Sequence, residues 1–589
     1  MTGFVTFEGM AGWLHPGRSS LGVVLCSAFA DEELSAHQGW RELAGMLSAR
    51  GLPTLRFDLP GTGDSAGTLP EAGLMEAWLD GVADAVAFLR RHAGVTSVAL
   101  AGLRLGAVVA GLATERLGGV AALVLLAPPA SGRAYLRELR LIQRIATLGP
   151  AEATPWLDVG GHRLSPAVLR EIEAAALPAQ LAAPRVLLAG GRPLASGDTQ
   201  DITQVAFEGY DAFMQDNLHA RVPQALFRQV SEWLAQPARD AAAPPQPVPP
   251  AVLRLHGMTE TPAWFGSDGS LFGILCAPDQ VRDGAPAVVL LSSGATHQAG
   301  NGRLSVLMAR HLAALGMVTL RMASPGAGEN RAQPGPAGIA PYAPGLGAGV
   351  GAAVDLLGTL GHRSFAALGL CSGGYVAFHA ARADPRLSAL VLLNLQTFDW
   401  RAGDTLVMPV RAQATYVQAL RSGEALRRLV RRGEDRLTLW RALRVAALLL
   451  WRRLRAVRDG LRRQQPGARA LPRTVLGWFR ALGGRGCRVL VAWGDADPGL
   501  DAARAAFGPG LRRLGRLPGV TAMILPDTTH IPNGPAAQAG VLAAAAAFLA
   551  EAPRPDLEGR QAARTGSIGA GGTPPASMAS PASSSMSSR

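Results

Sequence analysis

The chain carries the same pair of motifs twice, in the same order and at about the same separation. Residues 52–64 (LPTLRFDLPGTGD) line up with 317–329 (MVTLRMASPGAGE), and 101–110 (AGLRLGAVVA) line up with 368–377 (LGLCSGGYVA). A repeat on this scale implies a duplicated domain, because solenoid repeats are far shorter. Around the motifs, short continuous apolar runs alternate with helical stretches. The runs are 22–27, 52–57, 97–101, 121–126 and 185–189 in the first half, and 287–292, 318–321, 365–370, 389–394, 488–492 and 522–525 in the second. Runs without polar alternation suit strands buried on both faces, so each half is expected to be an α/β domain with a mostly parallel, doubly wound sheet.

Composition draws the boundaries. The stretch 237–251 is rich in Pro and Ala and reads as a semi-rigid linker, and 553–589 is Gly, Ser, Pro and Ala with too little apolar surface to fold. The expected layout is therefore a domain at 1–236, the linker, a second domain at 252–552, and a disordered tail. The second domain carries an insertion at about 397–486, placed where a lid over the sheet would emerge. Arginines crowd 436–463 within it.

The net charge of +13 comes from arginine alone, since the chain has no lysine. Codon bias of a GC-rich bacterial genome accounts for that pattern, and no nucleic-acid-binding motif accompanies it. A membrane surface or an anionic glycan meeting the basic lid helix is the sharper reading of the charge. The four cysteines are widely separated, with no metal-site spacing. No basic region precedes the apolar run at 21–30, so no signal peptide is expected, and a cytoplasmic location follows.

The chemistry concentrates in the second half. Gly369-Leu370-Cys371-Ser372-Gly373 follows a predicted strand and precedes a predicted helix. A nucleophile on so tight a strand-to-helix turn needs near-absent side chains two residues before and after it. The helix N-terminus then favours a thiolate, and the N–H of Ser372 can hold an oxyanion. After the next strands come Trp493-Gly494-Asp495-Ala496-Asp497 and Pro526-Asp527-Thr528-Thr529-His530. Cys371 is thus the expected nucleophile, His530 the base, and Asp497 the orienting acid with Asp495 in reserve. Ser293, Gly294 and Ala295, after the first central strand, are expected to complete the oxyanion hole. His297 either faces the site or serves the loop's structure.

The first half keeps the turn but not the nucleophile, because Gly102-Leu103-Arg104-Leu105-Gly106 places a guanidinium there. Arg104 cannot attack a carbonyl, and it sits at a helix N-terminus that disfavours cations, so Glu32, Glu33, Asp58 or a bound anion should compensate. His219 and Asp198 stand where a former base and acid could lie, or are ordinary loop residues. This half reads as a degenerate hydrolase or a binding module.

At these motifs the chain resembles known families. The first half, through 28–34 (AFADEEL), 56–65 (RFDLPGTGDS) and 102–107 (GLRLGA), is similar to the hydrolase-like proteins of bacterial exosortase and exopolysaccharide loci. The second, through 369–373 (GLCSG), 494–498 (GDADP) and 527–530 (DTTH), resembles the serine aminopeptidase S33 and dienelactone-hydrolase-like α/β hydrolases. The dienelactone hydrolase resemblance implies a Cys–His–Asp triad. Met322-Ala323-Ser324-Pro325 and Asn330 depart from the usual pattern, which carries an Asp before the Pro-Gly turn and a Ser at the later position. The expected activity is hydrolysis or acyl transfer on a small ester or thioester, without metal or organic cofactor. The competing expectation is a non-catalytic binding or assembly protein with two relic sites.

Overall fold

Two central sheets of matching topology stand in the computed structural model, which describes residues 2–146, 155–194, 200–236, 243–331, 340–343, 345–400 and 471–551. The first is built from β1 (Gly3–Phe7), β2 (Met10–His15), β3 (Leu21–Cys26), β4 (Thr54–Phe57), β5 (Ser97–Leu103), β6 (Val120–Leu126), β9 (Arg185–Ala189) and β10 (Asp201–Val205). A small hairpin, β7 (Leu157–Val159) with β8 (His162–Leu164), lies apart from it. The strand order is β1-β2-β4-β3-β5-β6-β9-β10, antiparallel at β1/β2 and β2/β4 and parallel beyond.

The second sheet consists of β11 (Leu253–Leu255), β12 (Met258–Phe265), β13 (Leu271–Pro278), β14 (Ala287–Leu291), β15 (Thr319–Met322), β16 (Phe365–Leu370), β17 (Leu387–Leu393), β18 (Arg488–Gly494) and β19 (Val520–Leu525). Its order, β11-β12-β13-β15-β14-β16-β17-β18-β19, repeats the first with one extra edge strand. Helices cover both faces of each sheet, and β3, β14 and β16 are buried along their whole length. Both are mostly parallel α/β sheets, in which the loops at the C-terminal ends of the parallel strands are the usual place for a site.

Both sheets belong to one body spanning Met1–Ala550. The halves meet through reciprocal contacts, as the two copies of a twofold dimer would. Arg56 on β4 bonds Glu329 at 2.7 and 2.6 Å, while the equivalent Arg321 on β15 reaches Asp64, the equivalent of Glu329, at 3.1 Å. Arg41 donates to the carbonyls of Gly328 and Asn330, and Arg303 donates to those of Gly63 and Ser65. Trp13 packs edge-on against Phe272 with ring centroids 4.9 Å apart.

Of the linker, residues 243–251 carry no regular secondary structure, and the Ala243 N–H bonds Gly94 O at the end of the helix Leu74–Ala93. The lid arginines at 436–463 and the tail at 553–589 lie outside the described residues. No helix among the described residues is long and apolar enough to cross a membrane.

Candidate active site

Cys371 stands between the end of β16 and the helix Ser372–Ala383, with φ 54° and ψ −117°. A non-glycine residue holds such a conformation only where its surroundings impose it, as functional turns do. The imposition is visible in the neighbours. A methyl group at Gly369 would lie 2.2 Å from the Gly373 carbonyl carbon, and one at Gly373 would lie 2.5 Å from Leu291 O. The glycines flanking the cysteine are there because the turn has no room for anything else.

The structure brings His530 and Asp497 to this turn. His530 Nδ1 donates to Asp497 Oδ2 at 2.6 Å, and Asp497 is fully buried at the end of β18. Asp495 is exposed and accepts from Thr528 N–H, which shapes the histidine's loop. Burial pulls the His530 imidazolium down. Its bonds to Asp497 and Cys371 and their negative charges outweigh that, and its pKa is pushed up to about 10. Burial likewise pushes the Cys371 thiol up. The hydrogen bond and charge of His530, the Tyr342 hydroxyl and the Ser372 N–H together hold it below its ordinary range. The pair therefore favours thiolate and imidazolium, the state a cysteine nucleophile needs.

Three residues beyond the sequence motifs shape the site. Gln396 Nε2 lies 3.3 Å from Asp497 Oδ1 and 3.0 Å from His530 Nδ1. Asn394, at φ 49° just past β17, donates to the carbonyls of Thr529 and His530 and accepts from Gly494 N–H. One side chain thus clamps the loop after β18 to the loop that carries His530. Tyr342 is buried with its hydroxyl 3.5 Å from Cys371 Sγ, and its ring stacks on Trp400 and meets Tyr375 edge-on. Asn394 and its partners are 100 to 136 residues apart, so sequence proximity does not reveal the clamp. Tyr342 falls in a Gly/Pro-rich stretch with no periodicity, and nothing in the sequence marks it.

The Ser293–Ala295 loop borders the elbow. Gly294 N–H donates to Ser372 Oγ at 2.7 Å, and Ser293 Oγ bonds Asn301. Ser372, next to Cys371, ties this loop to the helix by its hydroxyl and points its N–H at the Cys371 sulfur. His297 is turned away, bonded to Glu33 of the first half at 3.1 Å.

In the first half, Arg104 adopts φ 56° and ψ −121°, nearly the Cys371 conformation. Its guanidinium bonds Glu32 at 2.6 Å and also Glu138, and lies over the Tyr135 ring. Glu32 is thus the partner among the compensating groups considered, with Glu138 joining it. The place of the Asn394 clamp is held by Ala127, which keeps the positive φ (43°) but has no side chain to bond with. His219 is exposed and paired with Asp216, with no described contact to Arg104. Asp198 lies outside the described residues.

The family model described as serine aminopeptidase, S33, matches residues 34–261, the half whose elbow holds Arg104. Solved structures of similar fold include Est1E of Butyrivibrio proteoclasticus with bound ferulic acid, at 18% identity and TM-score 0.27, spanning 39% of this chain and 97% of that one. A dienelactone hydrolase from Anabaena variabilis matches at 15% identity and TM-score 0.30, over 51% of this chain and 100% of its own. A thermophilic esterase from Thermogutta terrifontis matches at 18% identity and TM-score 0.27, over 50% and 99%. No curated protein matches the chain. The family match spans less than half of the chain. The chain carries cysteine at one of its two elbows and arginine at the other.

Proposed function

We propose that the chain hydrolyses a small ester or thioester, or transfers its acyl group, at Cys371. The observation that carries this reading is the Cys371–His530–Asp497 arrangement, with the thiol held low and the imidazole held high. The Cys371 thiolate attacks the carbonyl carbon, and the carbonyl π electrons move onto oxygen. The Ser372 N–H, an N–H of the Ser293–Ala295 loop and the Tyr342 hydroxyl receive that charge. Collapse of the tetrahedral intermediate expels the alkoxide or thiolate, which takes the His530 Nε2 proton, and leaves an acyl thioester on Cys371. His530 then takes a proton from water, or from an acceptor alcohol, as it attacks the thioester, and returns it to the departing Cys371 sulfur. Asp497 keeps the ring in the tautomer that presents Nε2 to the reaction.

The aromatic wall of Tyr342, Tyr375 and Trp400 beside the sulfur favours an acyl group with apolar surface. The motif resemblance of the first half supports placing the reaction in surface-polysaccharide assembly. The test is turnover of an activated ester and a short acyl thioester by the wild type and by Cys371→Ala. The reading expects wild-type turnover and loss to background in a folded variant; equal rates in both would exclude Cys371 as nucleophile.

A further inference from the structure

Residues of both halves line a cavity of about 30 Å3, room for water or an ion but not for an organic substrate. Its walls include Glu33, His37, Trp40 and Asp58 from the first half and His297 and Gln298 from the second.

Glu33 and His37 stand one turn apart on the helix Asp31–Ala49, and His297 arrives on the loop after β14. His37 Nδ1 lies 3.1 Å from Glu33 Oε1, and His297 Nε2 lies 3.1 Å from Glu33 Oε2. The two imidazoles stack with centroids 4.2 Å apart, and one ligand atom from each of the three residues falls within 4.8 Å of the others. The far nitrogen of His37, Nε2, is 3.1 Å from Glu329 Oε1, and Glu329 is itself held by Arg56. A carboxylate on the far nitrogen is how proteins fix the tautomer of a metal-bound imidazole. His297 Nδ1 lies 3.4 Å from the Ala299 N–H, at the outer edge of hydrogen bonding, and Nε2 is the nitrogen that faces the cluster.

A second observation points to a missing group. Among the described residues, Gln298 Oε1 and Trp40 Nε1 are buried without a hydrogen-bond partner, at residues 2% and 3% exposed, and both residues line this cavity. Buried polar atoms are nearly always satisfied, so an orphaned acceptor and donor on one cavity mark an occupant. A cation carrying a water would meet both, with the amide oxygen as ligand or as acceptor from the water, and the indole N–H donating to the water.

We propose that Glu33, His37 and His297 bind one divalent transition-metal ion, zinc by donor chemistry, that pins the two halves together. Two imidazoles and a carboxylate are a borderline donor set, suited to zinc and not to calcium or magnesium. Metal–ligand bonds of about 2.0–2.2 Å set neighbouring ligand atoms about 3.3 Å apart in a tetrahedral site, and the three ligand atoms here already lie within 4.8 Å of one another. The cavity is too small for substrate, so the ion is structural, and the inference is independent of the reaction at Cys371.

The full-length protein, purified without chelators or an immobilised-metal column, is assayed for metal by mass spectrometry. Its thermal midpoint is then followed with chelator and with zinc restored. The proposal expects one zinc per chain, a midpoint that falls on chelation and recovers with zinc, and no such response in His297→Ala. Cobalt loaded into the apo protein should absorb in the visible range as a low-coordinate nitrogen/oxygen site. A protein that holds no metal, melts alike with chelator and zinc, and gives cobalt no protein-ligated spectrum would overturn it, leaving the two histidines hydrogen-bonded to Glu33. Should His297→Ala not fold, the wild-type stoichiometry and the cobalt spectrum decide.

Discussion

Arg56 closes a two-point ion pair with Glu329 across the boundary between the halves, and both side chains are buried. Its counterpart joins Arg321 to Asp64 and to Glu260. Pairs of this kind stabilise little against an apolar replacement of both partners, but removing one partner strands a buried charge. Glu329→Ala is therefore expected to cost about 3–5 kcal/mol, read as a large fall in thermal midpoint. Arg56→Met with Glu329→Leu should recover part of that loss. A Glu329→Ala protein as stable as the wild type would show that the halves are held by other means.

The proposed site sets a pH window. The reacting state has Cys371 as thiolate and His530 protonated. Activity should fall on the acid side as the depressed Cys371 pKa is crossed, and on the alkaline side as His530 loses its proton near pH 10. In His530→Ala the thiolate loses its largest stabilising partner, so the Cys371 pKa rises and alkylation at pH 7 slows. Tyr342→Phe should shift it the same way by less. Unchanged alkylation in His530→Ala would mean that the histidine does not activate the sulfur.

Acid should loosen the second half through Glu260. Burial raises the pKa of this carboxyl, but Arg321 and Arg310 beside it outweigh the burial and hold it at about 2. A depressed pKa means that the contribution to stability is complete above the ordinary carboxylate range and is lost as pH falls toward 2. Thermal midpoints of the wild type should drop between pH 5 and pH 3, and Glu260→Gln should show a lower midpoint at pH 7 with a shallower drop. Parallel curves would remove Glu260 from the acid response.

Arg104 should matter for folding and not for turnover. Its partners Glu32 and Glu138 lie in its own half, so Arg104→Ala leaves Glu32 without its cation while the Cys371 site is untouched. The expected outcome is a lower thermal midpoint with wild-type kcat/KM per folded molecule. A loss of turnover in folded Arg104→Ala would instead connect the first half to the reaction.

The parallel strands were legible because burial on both faces writes them as unbroken apolar runs. β1 and β12 were not, since they lie toward the sheet edges with mixed burial and carry Thr, Glu or Pro among their apolar residues. The elbow, acid and histidine could be found because each follows a strand end within a few residues. Asn394 and Gln396 act through loops brought together only by the sheet. Tyr342 reaches Cys371 from a stretch without periodicity, and the Glu33–His37–His297 cluster joins residues from opposite halves.

The central claim is that the substrate's acyl group passes through the Cys371 sulfur. Intact-mass spectrometry of the protein, quenched in acid during turnover of an activated ester, tests it directly. The account expects a mass increase of one acyl group, mapped to the peptide that contains Cys371 and absent in Cys371→Ala. An adduct on any other residue, or turnover by Cys371→Ala at the wild-type rate, would contradict it.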